Sequence, residues 1–425
     1  MPTSTTSLER DLSAVLPAEC IRPAAASDAI SGVQPRLIVE PANEQQLATA
    51  LRLANDASLA VIPRGGGTKL GWGNPPQRAD LILSTARLDQ IIEHAWADLT
   101  VSVQAGCTVA ALQSALAQHG QRLAIDPLWP ERATIGGILS TNDSGVLRLR
   151  FGALRDLIIG ATVALPDGTL ASSGGKVVKN VAGYDLPKLL TGALGTLGII
   201  TRAVFRLHPL PRLSRTFTCL ATGFLKHAQQ LLLAIQDSQL AHSALQVRLI
   251  EDSPQPKIDI LFDGTDEGIS AQAAAFKSIV SPAPVIEADP PVWNARQELY
   301  SVAQRDAVTS AIAKFSTPPS QVLSAAGTLC STTETRLRYD AVVQATGIGH
   351  ALLRGEPAVI ASVLSSFRAD LERIGGSLVF HHRPDSAPPL ETWGSSGDSL
   401  PLMRALKSQF DPKQTLNPGR FVGGI

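Results

Sequence analysis

Pro63-Arg64-Gly65-Gly66-Gly67-Thr68-Lys69-Leu70-Gly71 decides how this chain is read. It follows Ala60-Val61-Ile62, a short apolar run with the character of a buried strand. Three successive glycines leave their backbone N–H groups unshielded by side chains, and such a run curves into an anion-binding nest. Two nucleotide motifs fail here. Gly66 and Gly71 have Walker A spacing, but Trp72 and Gly73 stand where Lys and Ser/Thr are required. No GxGxxG opens a helix either.

Three further glycine sets follow. The second is Asp126-Pro127, then Thr134-Ile135-Gly136-Gly137-Ile138-Leu139-Ser140-Thr141-Asn142, then Gly145. The third is Gly174-Gly175-Lys176-Val177-Val178-Lys179-Asn180-Val181-Ala182-Gly183-Tyr184-Asp185. The fourth is Gly195-Thr196-Leu197-Gly198-Ile199-Ile200-Thr201. Small residues and hydroxyls recur where backbone must lie close to something flat or phosphorylated. Four sets over about 140 residues point to a large cofactor threaded through one domain.

The rest of the 425 residues narrows the class. Lys plus Arg and Asp plus Glu are 37 each, so the formal charge is zero and no basic excess meets a nucleic-acid backbone. An apolar content of 44% is too high for disorder. No apolar run reaches the roughly 18 residues of a membrane span, and the start has no signal-peptide pattern. Cys20, Cys107, Cys219 and Cys330 form no CxxC, zinc or iron–sulfur spacing and read as inert thiols in a reducing compartment. A cytoplasmic, globular, multi-domain enzyme is the expectation.

Residues 1–35 read as a partly ordered arm with one short helix. Strands are expected at 37–39, 60–62, 81–83 and 99–103. A helix at 47–54 carries capping-box spacing at Asn43 and Gln46, and a second spans 108–119. Residues 157–165 and 169–172 form a hairpin around Pro166-Asp167-Gly168. The strand at 199–207 ends at Pro209 and Pro211, which mark a domain boundary. Strands at 217–221, 245–250 and 257–262 and helices at 224–236 and 267–279 follow. The mixture continues through 307–314, 337–344, 350–354 and 377–383, and a helix with a Pro/Gly-rich tail closes the chain. Without a strict βαβ repeat the class is α+β.

These residues resemble the FAD-binding domain of the vanillyl-alcohol oxidase and p-cresol methylhydroxylase (PCMH-type) superfamily. Within it, the order of Ala133-Thr134-Ile135-Gly136-Gly137, Arg155-Asp156, the third and the fourth set is most similar to the E subunit of bacterial glycolate oxidase. Phe410-Asp411-Pro412 and Asn417-Pro418-Gly419-Arg420 resemble the end of the same proteins. The likeness is dense over residues 36–210 and 393–425; between them it rests on size and element order. It implies a two-subdomain FAD domain at 36–210, an α+β cap with an antiparallel sheet at 211–390, and a segment at 391–425 that packs back on the FAD domain.

The resemblance implies that Pro63, Arg64, Gly65, Gly66, Gly67 and Thr68 wrap the FAD pyrophosphate. Pro127, Thr134, Gly136, Gly137, Thr141, Asn142 and Gly145 would line the flavin and its chain, with Gly198, Ile199 and Ile200 beside them. Covalent members carry a flavin-bonded histidine where this chain has Thr68, so non-covalent FAD is expected. A carboxylate introduced as Gly66→Asp is expected to meet the pyrophosphate and expel FAD. The implied reaction is oxidation of a short 2-hydroxy acid such as glycolate or lactate by hydride transfer to flavin. The alternative is an FAD-bearing electron-transfer or scaffold subunit, partnered by a second flavoprotein and an iron–sulfur subunit and held peripherally at a membrane through them.

Such a substrate needs a fork for its carboxylate and a base for its hydroxyl proton. Ser377-Leu378-Val379-Phe380-His381-His382-Arg383 is the candidate segment, because strand alternation places His381 and Arg383 on one face. No HxxxH-like cluster is present, so no metal site is expected. Arg155-Asp156 reads as an internal ion pair, and Arg248 and Lys314 as surface charges. Lys176, Lys179 and Tyr184 are weaker candidates for a cofactor contact.

Overall fold

A computed structural model describes residues 5–176, 184–221, 223, 225–251, 253–333, 337–384, 386 and 391–425. The chain divides into two units: Met1–Gly145, Gly152–Leu210 and Ser395–Ile425 form the first, Val146–Phe151 and Pro211–Gly394 the second.

The first unit holds two main sheets. In one, the strands run Ile21–Pro23, Leu37–Val39, Leu81–Ser84, Val61–Arg64, and the last three are mutually parallel. Leu37–Val39 and Leu81–Ser84 are buried at every position, as strands covered on both faces must be. The helix Glu44–Asp56 covers one face with Leu47, Ala50, Leu51 and Ala54. Asn43 Oδ1 accepts from Gln46 N at 2.9 Å, while Gln46 Oε1 accepts from Ala42 N at 2.8 Å, so the cap closes one residue further out than its spacing suggests. The segment before residue 35 adds Ile21–Pro23 to the sheet and buries Leu12, Leu16 and Cys20 in its core.

The other sheet is antiparallel, in the order Ile91–Ala95, Thr100–Gln104, Ile199–Arg206, Ile158–Ala164, Leu170–Gly174. Its last hairpin turns at Gly168 (φ +86°), and Asp167 Oδ1 accepts from Thr169 N at 2.9 Å. Arg155 and Asp156 form no ion pair among the described residues. Both are exposed, and Asp156 instead caps its own short helix by accepting from Ala153 N at 2.9 Å.

The second unit is built on one eight-stranded antiparallel sheet. Leu225–Gln236, Asp266–Val280, Val322–Thr333 and Pro357–Arg373 bury their apolar stripes with the sheet residues of one core. Alternation sends the intervening residues to the other face. There Arg248, expected at the surface, is 14% exposed and gives Asp259 two bonds, at 2.6 and 2.9 Å; Asp259 also accepts from Thr218 and Gln246. A carboxylate with no exposure needs such a full set of donors.

Candidate functional site

The strand Val61–Arg64 ends with Arg64 opposite Ser84, and Thr85 N donates to the Arg64 carbonyl at 2.8 Å. The glycine loop then leaves the sheet. A Cβ on Gly65 would collide with Thr134 Oγ1, and one on Gly66 with the Arg132 carbonyl. Glycine is required there because the second set packs against the first. Among the described residues, no hydrogen bond uses the amides of Gly65, Gly66, Gly67 and Thr68. The Arg64 side chain is turned away to Asp28, at 2.8 Å. Arg22 and Arg64 together hold the Asp28 carboxyl well below the usual carboxylate range. Arg64 thus offers the site its backbone, not its charge.

Thr134 caps the helix Ile135–Thr141 by accepting from Gly137 N at 3.3 Å. Gly136 lies against Ala105, and Thr141 Oγ1 donates to Gly137 O at 2.8 Å. Asn142 ends the helix in the left-handed region (φ +48°), with Oδ1 buried and unpartnered among the described residues. Gly145 is pressed against the Asp126 carboxylate.

The C-terminal tail completes the wall. Val61 N donates to Thr415 O at 2.7 Å and Asn417 N to Val61 O at 2.9 Å, a parallel bridge that extends the sheet beyond Val61–Arg64. It places Asn417 so that Nδ2 donates to the Leu194 carbonyl while Oδ1 is buried without a partner among the described residues. Lys407 anchors this tail. Its ammonium, 1% exposed, bonds Asp411 at 2.6 Å and the carbonyls of Thr196 and Leu416 at 2.9 and 2.8 Å. Burial pushes the Lys407 ammonium below its usual range against the pull of Asp411. Arg420, also buried, donates to the carbonyls of Leu70 and Trp72, and desolvation lowers its pKa to about 10.

These pieces line a cleft whose empty space, counted out to open solvent, is about 700 Å³. Pro63 to Thr68 line it, as do Thr134, Gly136, Gly137, Thr141, Gly198, Ile199 and Ile200. Pro127, Asn142 and Gly145 are not among the residues that line it. Lys69, Ser140, Leu194, Gly195, Asn417 and Arg420 also line it. None of these six was given a cofactor-binding role from the sequence, and Lys69 is the one that carries a buried charge into the second glycine set. Its ammonium is buried 3.1 Å from Asp143, with the Trp72 and Trp129 ring centroids at 5.7 and 5.5 Å. Asp143 also accepts from Leu128 N at 2.9 Å, so one ion pair ties the first glycine set to the second.

In the third set residues 177–183, Lys179 among them, lie outside the described residues. Lys176 pairs with Glu93 on the surface and Tyr184 is 92% exposed; neither lines the cavity. Cys107 is buried, and desolvation pushes its thiol up to about 11, which removes the thiolate at neutral pH.

His381 and Arg383 belong to the second unit. The edge strand Ser377–His382 ends before Arg383, and alternation breaks one residue earlier. Pairing with Ser310–Ser316 steps from Ala313↔Phe380 to Ile312↔His382, leaving His381 as the extra residue of a bulge. His381 is buried rather than on a solvated edge, and its Nδ1 lies 2.6 Å from the Tyr300 hydroxyl. Arg383 is half-buried just past the strand end.

Comparison with known proteins agrees with this architecture. Residues 35–174 match the FAD binding domain family, and residues 393–421 the C-terminal domain of FAD linked oxidases. Glycolate oxidase subunit GlcD of Bacillus subtilis is 27% identical over 91% of this chain and 89% of its own. D-lactate dehydrogenase of Archaeoglobus fulgidus is 28% identical over 91% of both chains. D-2-hydroxyglutarate dehydrogenase of Xanthomonas citri pv. viticola is 27% identical over 91% and 89%. Among solved structures, p-cresol methylhydroxylase with substrate bound superposes with a TM-score of 0.74 at 14% identity, covering 98% of this chain and 96% of that one. An alkyldihydroxyacetonephosphate synthase gives 0.78 at 18%, over 98% and 86%. The two matched domain families, the curated relatives and the glycine-lined cavity lead to one statement: residues 35–174 carry an FAD binding domain, and this chain is an FAD-dependent oxidoreductase.

Proposed function

We propose that this chain oxidises a short 2-hydroxy acid, such as glycolate or lactate, with non-covalent FAD. The observation that carries the reading is the cavity's donor set. Four consecutive amides, Gly65 to Thr68, are left unused among the described residues, and Asn417, whose buried Oδ1 has no partner among them, lines the same cavity. Consecutive amides suit a pyrophosphate, and a buried acceptor suits an N–H of a flavin ring. Thr68 and the un-ionised Cys107 support a cofactor held without a covalent bond.

Bound FAD supplies the hydride acceptor. In this reading residues 36–210 and 391–425 hold it, and the unit around 211–390 supplies the substrate residues. Arg383 pairs its guanidinium fork with the substrate carboxylate. His381 takes the hydroxyl proton at Nε2, since its Nδ1 is engaged by Tyr300. The bulge at His381 supports this role, because bulges re-aim a side chain beside active sites. Glycolate, D-lactate and D-2-hydroxyglutarate, the substrates in the relatives' names, share the 2-hydroxy acid group.

One relative is named as a subunit, which favours a second reading: an E-subunit-like FAD carrier that works with a second flavoprotein and an iron–sulfur subunit. Such a chain would be cytoplasmic, and peripheral at a membrane only through its partners. Among the described residues no helix is long and apolar enough to cross a membrane. Anaerobic mixing of the FAD-loaded chain with glycolate, D-lactate and L-lactate separates the two. Bleaching of the flavin absorbance by one acid is the expected result. Bleaching only after partner subunits are added supports the second reading, and bleaching under neither condition contradicts both.

A further inference from the structure

The second unit places two histidines and a tyrosine from three distant segments in one buried group. Ala351, Leu353, Leu378 and Phe380 point into the core beneath the four covering helices. Their neighbour His350 therefore points to the opposite face of the sheet, and the bulge at His381 brings that ring to the same tyrosine. The helix Ala295–Arg305 lies against the strands Ser310–Ser316, Arg338–Gln344 and Ile348–Arg354 and buries Arg296, Leu299, Tyr300 and Ala303. Tyr300 is 3% exposed, His350 2% and His381 9%. The tyrosine hydroxyl stands 2.6 Å from His381 Nδ1 and 3.1 Å from His350 Nδ1.

A phenol has one proton to donate and lone pairs with which to accept. Bridging two Nδ1 atoms, it donates to one and accepts from the other. The two imidazoles then hold opposite states at Nδ1, and two neutral rings carry opposite tautomers. A base at Nε2 must carry its resting proton on Nδ1. We propose that Tyr300 is the positioning residue of His381: its oxygen accepts from His381 Nδ1–H, its proton goes to His350 Nδ1, and His381 is thereby held with a bare Nε2 for the substrate's hydroxyl proton. The inference rests on the reading of His381 as the proton acceptor, but the tautomers can be read without turnover.

Long-range proton–nitrogen correlation spectra of the ¹⁵N-histidine-labelled full chain, assigned with His350→Gln and His381→Gln, test it. The expected pattern is protonated Nδ1 with bare Nε2 at His381 and the reverse at His350. In Tyr300→Phe, His381 is expected to lose this fixed state and give averaged nitrogen shifts, while the flavin is reduced by the hydroxy acid about tenfold more slowly or worse. Bare Nδ1 at His381, the same tautomer at both histidines, or an unchanged His381 spectrum in Tyr300→Phe overturns the proposal. If the wild-type flavin is reduced by no hydroxy acid, the oxidation reading falls while the tautomer result stands by itself.

Discussion

Lys407→Met is expected to destabilise the first unit by about 3–5 kcal/mol, the typical cost of removing one partner from a buried ion pair. The methionine fits the space of the lysine stem but leaves Asp411 with no exposure and no counter-charge. The carbonyls of Thr196 and Leu416 lose their donor as well. At about 2–4 °C per kcal/mol for a unit of this size, the melting temperature of the first unit should fall by roughly 10 °C, as followed by calorimetry. The double variant Lys407→Met with Asp411→Leu should recover only part of this. Asp411 also accepts from Thr415 N and Leu416 N at 2.9 and 2.7 Å, and a leucine leaves those amides unpaired. Full recovery in the double variant would mean that the ion pair alone, and not the whole junction, holds the tail.

Gly66→Ala is the second large effect. Even a methyl group there meets the Arg132 carbonyl, so the loop must move before any ligand is encountered. The expectation that a carboxylate at Gly66 expels FAD by charge therefore acquires a prior cause: the steric clash comes first. Gly66→Ala should lower FAD affinity tenfold or more, measured as flavin retained per chain after dialysis. Gly71→Ala is the control, since a Cβ there has nothing within 4 Å and the backbone is outside the left-handed region. It should retain FAD fully. Equal retention in both variants would place the cofactor elsewhere.

The contrast between Gly66 and Gly71 shows how much of the site was legible. The order of the glycine sets marked the cavity, because a glycine that serves close approach is visible as composition. The reason for each glycine was not visible, because Arg132 and Thr134 lie a long way down the chain from the loop they press against. Local signals did well where local physics decides: the Asn43 cap, the Asp167-Gly168 turn and the apolar strands at 37–39 and 81–83. Buried charge was the consistent blind spot. Lys69, Lys407 and Arg420 read as surface residues in any sequence window, and each is buried with a carboxylate or a carbonyl from a distant segment against it. His381 was legible as a candidate, but its bulge was not, since register belongs to the pair of strands rather than to either one. Tyr300 gave no signal, because its partners lie 50 and 81 residues further along.

The first observation, three glycines after a buried strand, now has a physical content. The net charge of zero fits a dinucleotide met by backbone amides rather than by a basic patch. Flavin release on denaturation tests this account most directly. The purified full chain is precipitated with trichloroacetic acid, and the flavin in supernatant and pellet is measured. One FAD per chain, all of it in the supernatant, is the predicted result. A colourless protein that takes up no FAD on reconstitution, or yellow colour fixed in the pellet, would contradict it.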